Sequence, residues 1–222
     1  NDPKNEYIES LKLVKSQNKE FKTKFPYRYK LIAKQNNISY QPVIKTNDDI
    51  SKAIIAFPNR YMANPASMFG HLFVILKSKN GLMDSNIVHF LANTANSNPN
   101  AYIYNGITGK FKGWYLLEPY YSKVKEYNYV EDREINYYEL DLTKDAMKNM
   151  QLHTIELKQT HFDYYFLDEN CAYFTAKFLN NFLAKNIMKR TRPIYPSQVI
   201  NGLIKNEELK NEFYRVPIVK LF

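Results

Sequence analysis

The chain has 222 residues, 45% of them hydrophobic, and a formal net charge of +9, which is enough for a sizeable core and too apolar for a largely disordered chain. A single cysteine excludes an internal disulfide, and no run approaches the roughly 20 apolar residues that cross a bilayer as a helix. The positive balance points to an anionic partner, membrane headgroups or nucleic acid, and does not separate the two.

The start, NDPKNEYIES, has no basic and apolar leader, so any signal segment is expected to have been removed. Asp2 is a helix cap and Pro3 a first helical residue, and Tyr7, Ile8, Leu11 and Val14 follow at helical spacing, predicting a helix to about Glu20. A second helix is expected near Pro26, with Tyr29, Leu31 and Ile32 as its apolar positions. Together these form a helical layer over about 1–45. Three short segments, AIIAFPNRY, HLFVILKS and NIVHFLANTA, are rich in β-branched and aromatic residues. Separated by turn formers such as KNGLMDS, they read as strands of one antiparallel sheet. GITGKFKGWYLLEPYY holds three of the six glycines, Gly106, Gly109 and Gly113, and reads as a loop or flap before a strand or short helix. It carries Trp114, Tyr120 and Tyr121 as flap residues, with a plain surface hairpin as the alternative. REINYYELDL is a further strand; Thr143 then caps a helix with Met147, Met150 and Ile155 on one side.

Cys171, Phe174, Phe178 and Phe182 recur in steps of three and four, so the only thiol falls in the first turn of a helix. A basic cluster (Lys185, Lys189, Arg190, Arg192) and a last short helix in YPSQVINGLI follow. The apolar end VPIVKLF suggests that further chain follows it. With no repeat or clear linker, residues 1–222 read as one α+β domain whose core spans about 50–210.

A thiol in the first turn of a helix gains from the unpaired N–H groups there, which favour the thiolate and can stabilise an oxyanion. A buried core cysteine is the competing reading. A base has to come from four histidines. His71 opens one predicted strand and His89 lies on the next, so antiparallel pairing can bring them side by side as base and orienting residue. His153 falls in mid-helix and His161 in a loop. Neither a metal-ligand spacing nor a phosphate loop is present, so no metal and no cofactor is expected. The carboxylates Glu118, Glu131, Asp132, Glu134 and Glu139 read as solvated or ion-paired, and Arg133 as an ion-pair partner.

The blocks FPNRYMANPASMFGHLFVIL and YYFLDENCAYF, with YNYVEDREINYYELDLT between them, resemble the N-terminal periplasmic domain of Lnb-type bacterial lipoprotein N-acyltransferases. The likeness runs from DPKNEYIESL to TRPIYPSQVINGL. It implies a circularly permuted papain-like fold of the NlpC type, in which His71 of SMFGH is the base and Cys171 of ENC the nucleophile. The family's asparagine-like third position falls on His89. Ser67, Glu169 and Asn170 are then candidates for oxyanion or supporting roles. Leu72 and Ala172 depart from the threonine and serine common in the family. The activity implied is transfer of a fatty acyl group from a phospholipid, through a thioester on Cys171, to the N-terminus of a lipoprotein. The expected setting is the periplasm, tethered at an anionic membrane surface, with no nucleic acid. A cell-wall peptidase or amidase using the same thiol, and a non-catalytic lipid- or protein-binding module, are the alternatives.

Overall fold

A computed structural model describes residues 2–58, 71–94, 98–125, 134–188 and 192–215. Within them seven strands form one antiparallel sheet: β1 (Ile50–Pro58), β2 (Phe73–Ser78), β3 (Gly81–Ala92), β4 (Phe111–Pro119), β5 (Ile135–Leu140), β6 (His161–Tyr164) and β7 (Leu209–Arg215). Their order is β6-β4-β3-β2-β1-β5-β7. Eight helices accompany them: α1 (Pro3–Lys15), α2 (Lys19–Lys24), α3 (Pro26–Gln35), α4 (Pro99–Thr108), α5 (Tyr120–Lys125), α6 (Lys144–Leu157), α7 (Cys171–Leu179) and α8 (Pro196–Lys205). The expected α+β class with an antiparallel sheet is therefore present, and none of these helices is long and apolar enough to cross a membrane.

Both faces of the central strands are buried, so β2 runs apolar from Phe73 to Leu76 without alternation before Lys77 and Ser78. One face carries Ala53, Ile55, Leu72, Val74, Val88 and Phe90 and packs against Met147 and Met150 of α6, Phe174 and Phe178 of α7, and Val199 and Leu203 of α8. The opposite face carries Ile54, Ala56, Phe73, Ile75, Ile87 and Tyr137, with Tyr120 of α5 buried against it. The Tyr120 and Tyr137 hydroxyls meet there at 2.6 Å.

The first helix is shorter than its pattern predicts. It stops at Lys15 because Gln17 takes a left-handed φ of 53°, and Asn18 then caps α2 by accepting from Phe21 N–H at 2.8 Å. Helices α1–α3 surround a small core of Val14, Phe21, Tyr29, Ile32 and Ala33; Leu31 is exposed. The segment 36–49 that follows holds no helix or strand. No side chain of its own caps α3. Its first turn is served instead by Glu156 of α6, whose carboxylate accepts the Arg28 N–H at 2.7 Å, a favourable place for an anion.

Other expectations need correction. Only Lys79 and Asn80 of KNGLMDS form the turn, and Gly81–Ser85 already belong to β3. The glycine-bearing segment forms a helix end and a strand rather than a loop. Pro99–Thr108 is a helix with Asn98 as cap and Gly109 as its left-handed terminator, Trp114 lies in the interior strand β4, and Tyr120 is fully buried. Tyr121 alone is exposed. His161 is on a strand rather than in a loop, and Phe182 lies just past the end of α7. Ser67, Glu131, Asp132, Arg133, Lys189 and Arg190 lie outside the described residues.

Helix α8 approaches the chain closely at Gly202, where a Cβ would stand 1.8 Å from the carbonyl oxygen of Ile187. Backbone cannot yield as a side-chain tip can. Gly202→Ala should therefore lower stability by about 1–3 kcal/mol, seen as a lower urea midpoint with an unchanged slope.

Candidate thiol site

Cys171 is the first residue of α7, as its spacing predicts, and it is buried. Asn170 fixes that helix end. Its Oδ1 accepts from Ala172 N–H (3.0 Å) and Tyr173 N–H (3.2 Å), while its Nδ2 donates to the carbonyls of Phe166 (3.0 Å) and Ile194 (2.9 Å). Both amide hydrogens are engaged, so Asn170 acts as a cap and a tie between loops. The 192–194 segment braces the same turn: Arg192 pairs with Asp168 at 2.6 Å, and Ile194 N–H donates to Leu167 at 3.1 Å. Asn170→Ala removes the cap and leaves two carbonyls without their donor. The expected loss is about 2 kcal/mol or more, measured by chemical denaturation.

The Tyr164 hydroxyl and the backbone N–H groups of Leu72 and Ala172 lie close enough to Cys171 to favour its thiolate. Burial dominates nonetheless and pushes the thiol up to about 11. In this state Cys171 is a protonated thiol surrounded by donors suited to its charged form.

Leu72 joins the thiol to the histidines. Phe73 of β2 is paired with His89 of β3, and the His71 ring lies 5.9 Å from that of His89 and 6.3 Å from that of Phe73. The two histidines are thus side by side, as the strand pairing predicts. Phe73 belongs to the sheet face turned away from α7, whereas Leu72 packs on the α7 face. The thiol and the histidine pair therefore meet the end of β2 from opposite sides, with the backbone of Leu72 between them. His89 is fully buried, and its Nε2 lies 3.2 Å from Glu118 Oε2. That contact lacks the direction of a hydrogen bond. Burial, aided by Lys123, lowers the imidazole to about 3, so the pair is a neutral imidazole beside a carboxylate and not a salt bridge.

Glu169, the residue before Asn170, lines two clefts. One, of about 400 Å³, runs along α7 past Phe162, Tyr173, Phe174, Phe178 and His153. The other, of about 570 Å³, is bounded by Ile107, Leu167, Asp168 and Arg192. Cys171 lines neither. His153 is in mid-helix as expected, with Nδ1 3.3 Å from Glu156 Oε2, and belongs to the docking of α3 rather than to the thiol. Tyr164 was not singled out by its pattern. It is one of 19 tyrosines, and nothing in DYYFLDENC distinguishes it from its neighbour Tyr165.

A cysteine at a helix start, set against an antiparallel sheet whose adjacent strands carry two neighbouring histidines, defines an α+β domain built around a buried thiol. Residues 40–205 match the family described as the Lnb N-terminal periplasmic domain, and the chain belongs to that family. Neither the curated proteins nor the solved structures contain a match. Membership places the domain among periplasmic ones and in the setting of Lnb-type lipoprotein acylation.

The state of His89 gives a pH prediction. Its native pKa of about 3 lies below the ordinary histidine value of about 6.5. Between the two, the unfolded chain holds a proton that the native protein does not. Stability therefore falls as pH drops through this window and is fully present above it. Replacing His89 by Gln should flatten the dependence by about 1 kcal/mol per pH unit between about pH 6 and pH 4, measured by denaturation of both proteins across that range.

Proposed function

We propose that the domain is the thiol-bearing half of an acyltransferase that moves a fatty acyl group from a glycerophospholipid, through a thioester on Cys171, to the amino terminus of a lipoprotein. The observation that carries this reading is the position of the only cysteine. It opens α7, near the strand end that carries Leu72 and His71, in a chain of the Lnb family.

In this reading His71 takes the thiol proton and the sulfur attacks the ester carbonyl. The alcohol leaves with that proton, and an amine then resolves the thioester. His89 orients His71. The permuted papain-like arrangement belongs to the same proposal, since it supplies the order histidine strand, then cysteine helix. A net charge of +9 suits an anionic membrane surface, at which the complete protein is tethered. Acylation requires the thiol to leave its protonated, enclosed state, so lipid binding must open the wall between the histidines and the sulfur.

A second reading has an observation of its own: the buried thiol with its raised pKa fits a non-catalytic module in which Cys171 only packs. One experiment separates the two. Folded protein is incubated with phosphatidylglycerol or phosphatidylethanolamine vesicles and weighed intact. The acyltransferase reading expects one added acyl chain, labile to hydroxylamine, in wild type. Cys171→Ser should gain no thioester and His71→Ala should gain at least 10²-fold less. No adduct, together with a thiol that alkylates only on unfolding, makes the module reading the correct one.

A further inference from the structure

We infer that the outer face of α4, formed by Ile103, Tyr104 and Ile107 together with the neighbouring Leu167, is the surface by which the domain enters the interface of a phospholipid bilayer, beside the turn that leads to Cys171. The choice of a phospholipid bilayer as occupant rests on the acyltransferase reading above.

Helix α4 reads PNAYIYNGIT and carries no charged residue, whereas α1, α3 and α6 each carry both exposed positions and several Lys, Arg, Asp or Glu. Its inner face is packed. The Tyr102 ring lies 5.0 Å from that of Phe166 and 5.7 Å from that of Phe111, and a Cβ on Gly106 would stand 2.3 Å from the Phe166 ring. The Gly106 carbonyl accepts the Phe166 N–H at 2.8 Å, which fastens α4 to the segment just before the thiol turn. The outer face is apolar as well: Ile103 and Tyr104 are each 57% exposed, Ile107 58% and Leu167 47%. Steps of three and four put Ile103, Tyr104 and Ile107 on one side of the helix, and Ile107 and Leu167 line one cleft, so the four side chains form a single patch. A surface helix ordinarily turns charged residues to water. One that shows large apolar side chains there instead has another apolar phase to meet.

Size, charge and position select a bilayer rather than a protein. Four half-exposed side chains present on the order of 400 Å², against the roughly 800 Å² that each partner gives to a standard protein interface. At the edge of the patch the ammonium of Lys110 stands 4.6 Å from the centre of the Tyr104 ring. The nearby acids Asp163 and Asp168 are paired with Lys112 and Arg192. A tyrosine with a lysine over its ring suits the headgroup level, where the ring meets the acyl boundary and the ammonium meets phosphate. The net charge of +9 draws the domain toward an anionic surface in the same sense. Leu167 precedes Cys171 by four residues, and Glu169 lines the cleft that Ile107 and Leu167 share. A lipid held on this face therefore lies against the turn that encloses the thiol.

The test is co-sedimentation with vesicles of phosphatidylcholine, with and without phosphatidylglycerol. Wild type is compared with the double variant Ile103→Gln, Ile107→Gln, which keeps helix propensity, and with Ile8→Gln, an equally simple change at a 48% exposed position on α1. The double variant should lose about 10-fold or more in partitioning, and Ile8→Gln should bind as wild type does. Lys110→Ala should weaken binding about fivefold on vesicles with phosphatidylglycerol and leave binding to pure phosphatidylcholine unchanged. Urea midpoints equal to that of wild type show that the variants fold. Absence of wild-type binding, or equal binding by the double variant, overturns the assignment. So does a dimer in solution that the double variant abolishes, which would make the face an interface between copies. Acylation of Cys171 by a water-soluble p-nitrophenyl ester, read by intact mass, keeps this outcome apart from the thiol reading. An adduct on a protein that ignores vesicles leaves the thiol reading standing and removes only the docking face. Vesicle binding through α4 with no adduct on Cys171 from ester or lipid keeps the docking face and removes the acyltransferase reading.

Discussion

The hydrogen bonds of Asn170 are the constraint on which the thiol region depends. One side chain caps α7, ties the turn after β6 to the 192–194 segment, and so determines where Cys171 stands relative to the end of β2. A helix start without such a cap leaves orphan N–H groups that must find water or another partner. Here they are directed inward, where they meet a carboxamide and a sulfur. The same arrangement explains why the thiol is both enclosed and surrounded by donors. Enclosure disfavours the charged form, the donors favour it, and in the state described enclosure dominates.

The sheet contributes by having two apolar faces. A one-sided sheet would expose the histidine strand to water, whereas here β2 and β3 are covered on both sides. His89 consequently remains a neutral imidazole close to a carboxylate. Neutral imidazoles accept protons, and a buried one accepts them reluctantly. His71, nearer the strand end, is its neighbour.

Much of this was legible in the sequence because certain residues have only one physical use. Pro3 and Pro26 at first helical positions, Thr143 as a cap and the three- and four-residue spacing from Cys171 all led to helices that form. Runs of β-branched residues led to the central strands. The failures are equally physical. Gln17 carries no turn signature, so a left-handed residue there could not be foreseen. Gly106, Gly109 and Gly113 looked like a mobile flap, whereas Gly106 and Gly113 leave room for the rings of Phe166 and Phe90, and only Gly109 is a terminator. The edge strands β6 and β7 are short or polar, and their existence depends on partners distant in sequence. The helix start at Cys171 and the side-by-side placing of His71 and His89 could be read. The separation of thiol and histidines by the backbone of Leu72 depends on side-chain direction across a sheet.

The carboxylate of Glu156 has a further consequence. The family match begins at residue 40, after α3 has ended at Gln35, so the three amino-terminal helices precede the region that defines the family. Glu156 belongs to the matched region, yet it is buried by those helices and bonded to one of their amides. It is a socket in the matched region for the amino-terminal helices. Without those helices Glu156 would keep only its contact with His153, 3.3 Å away, at an exposed seam.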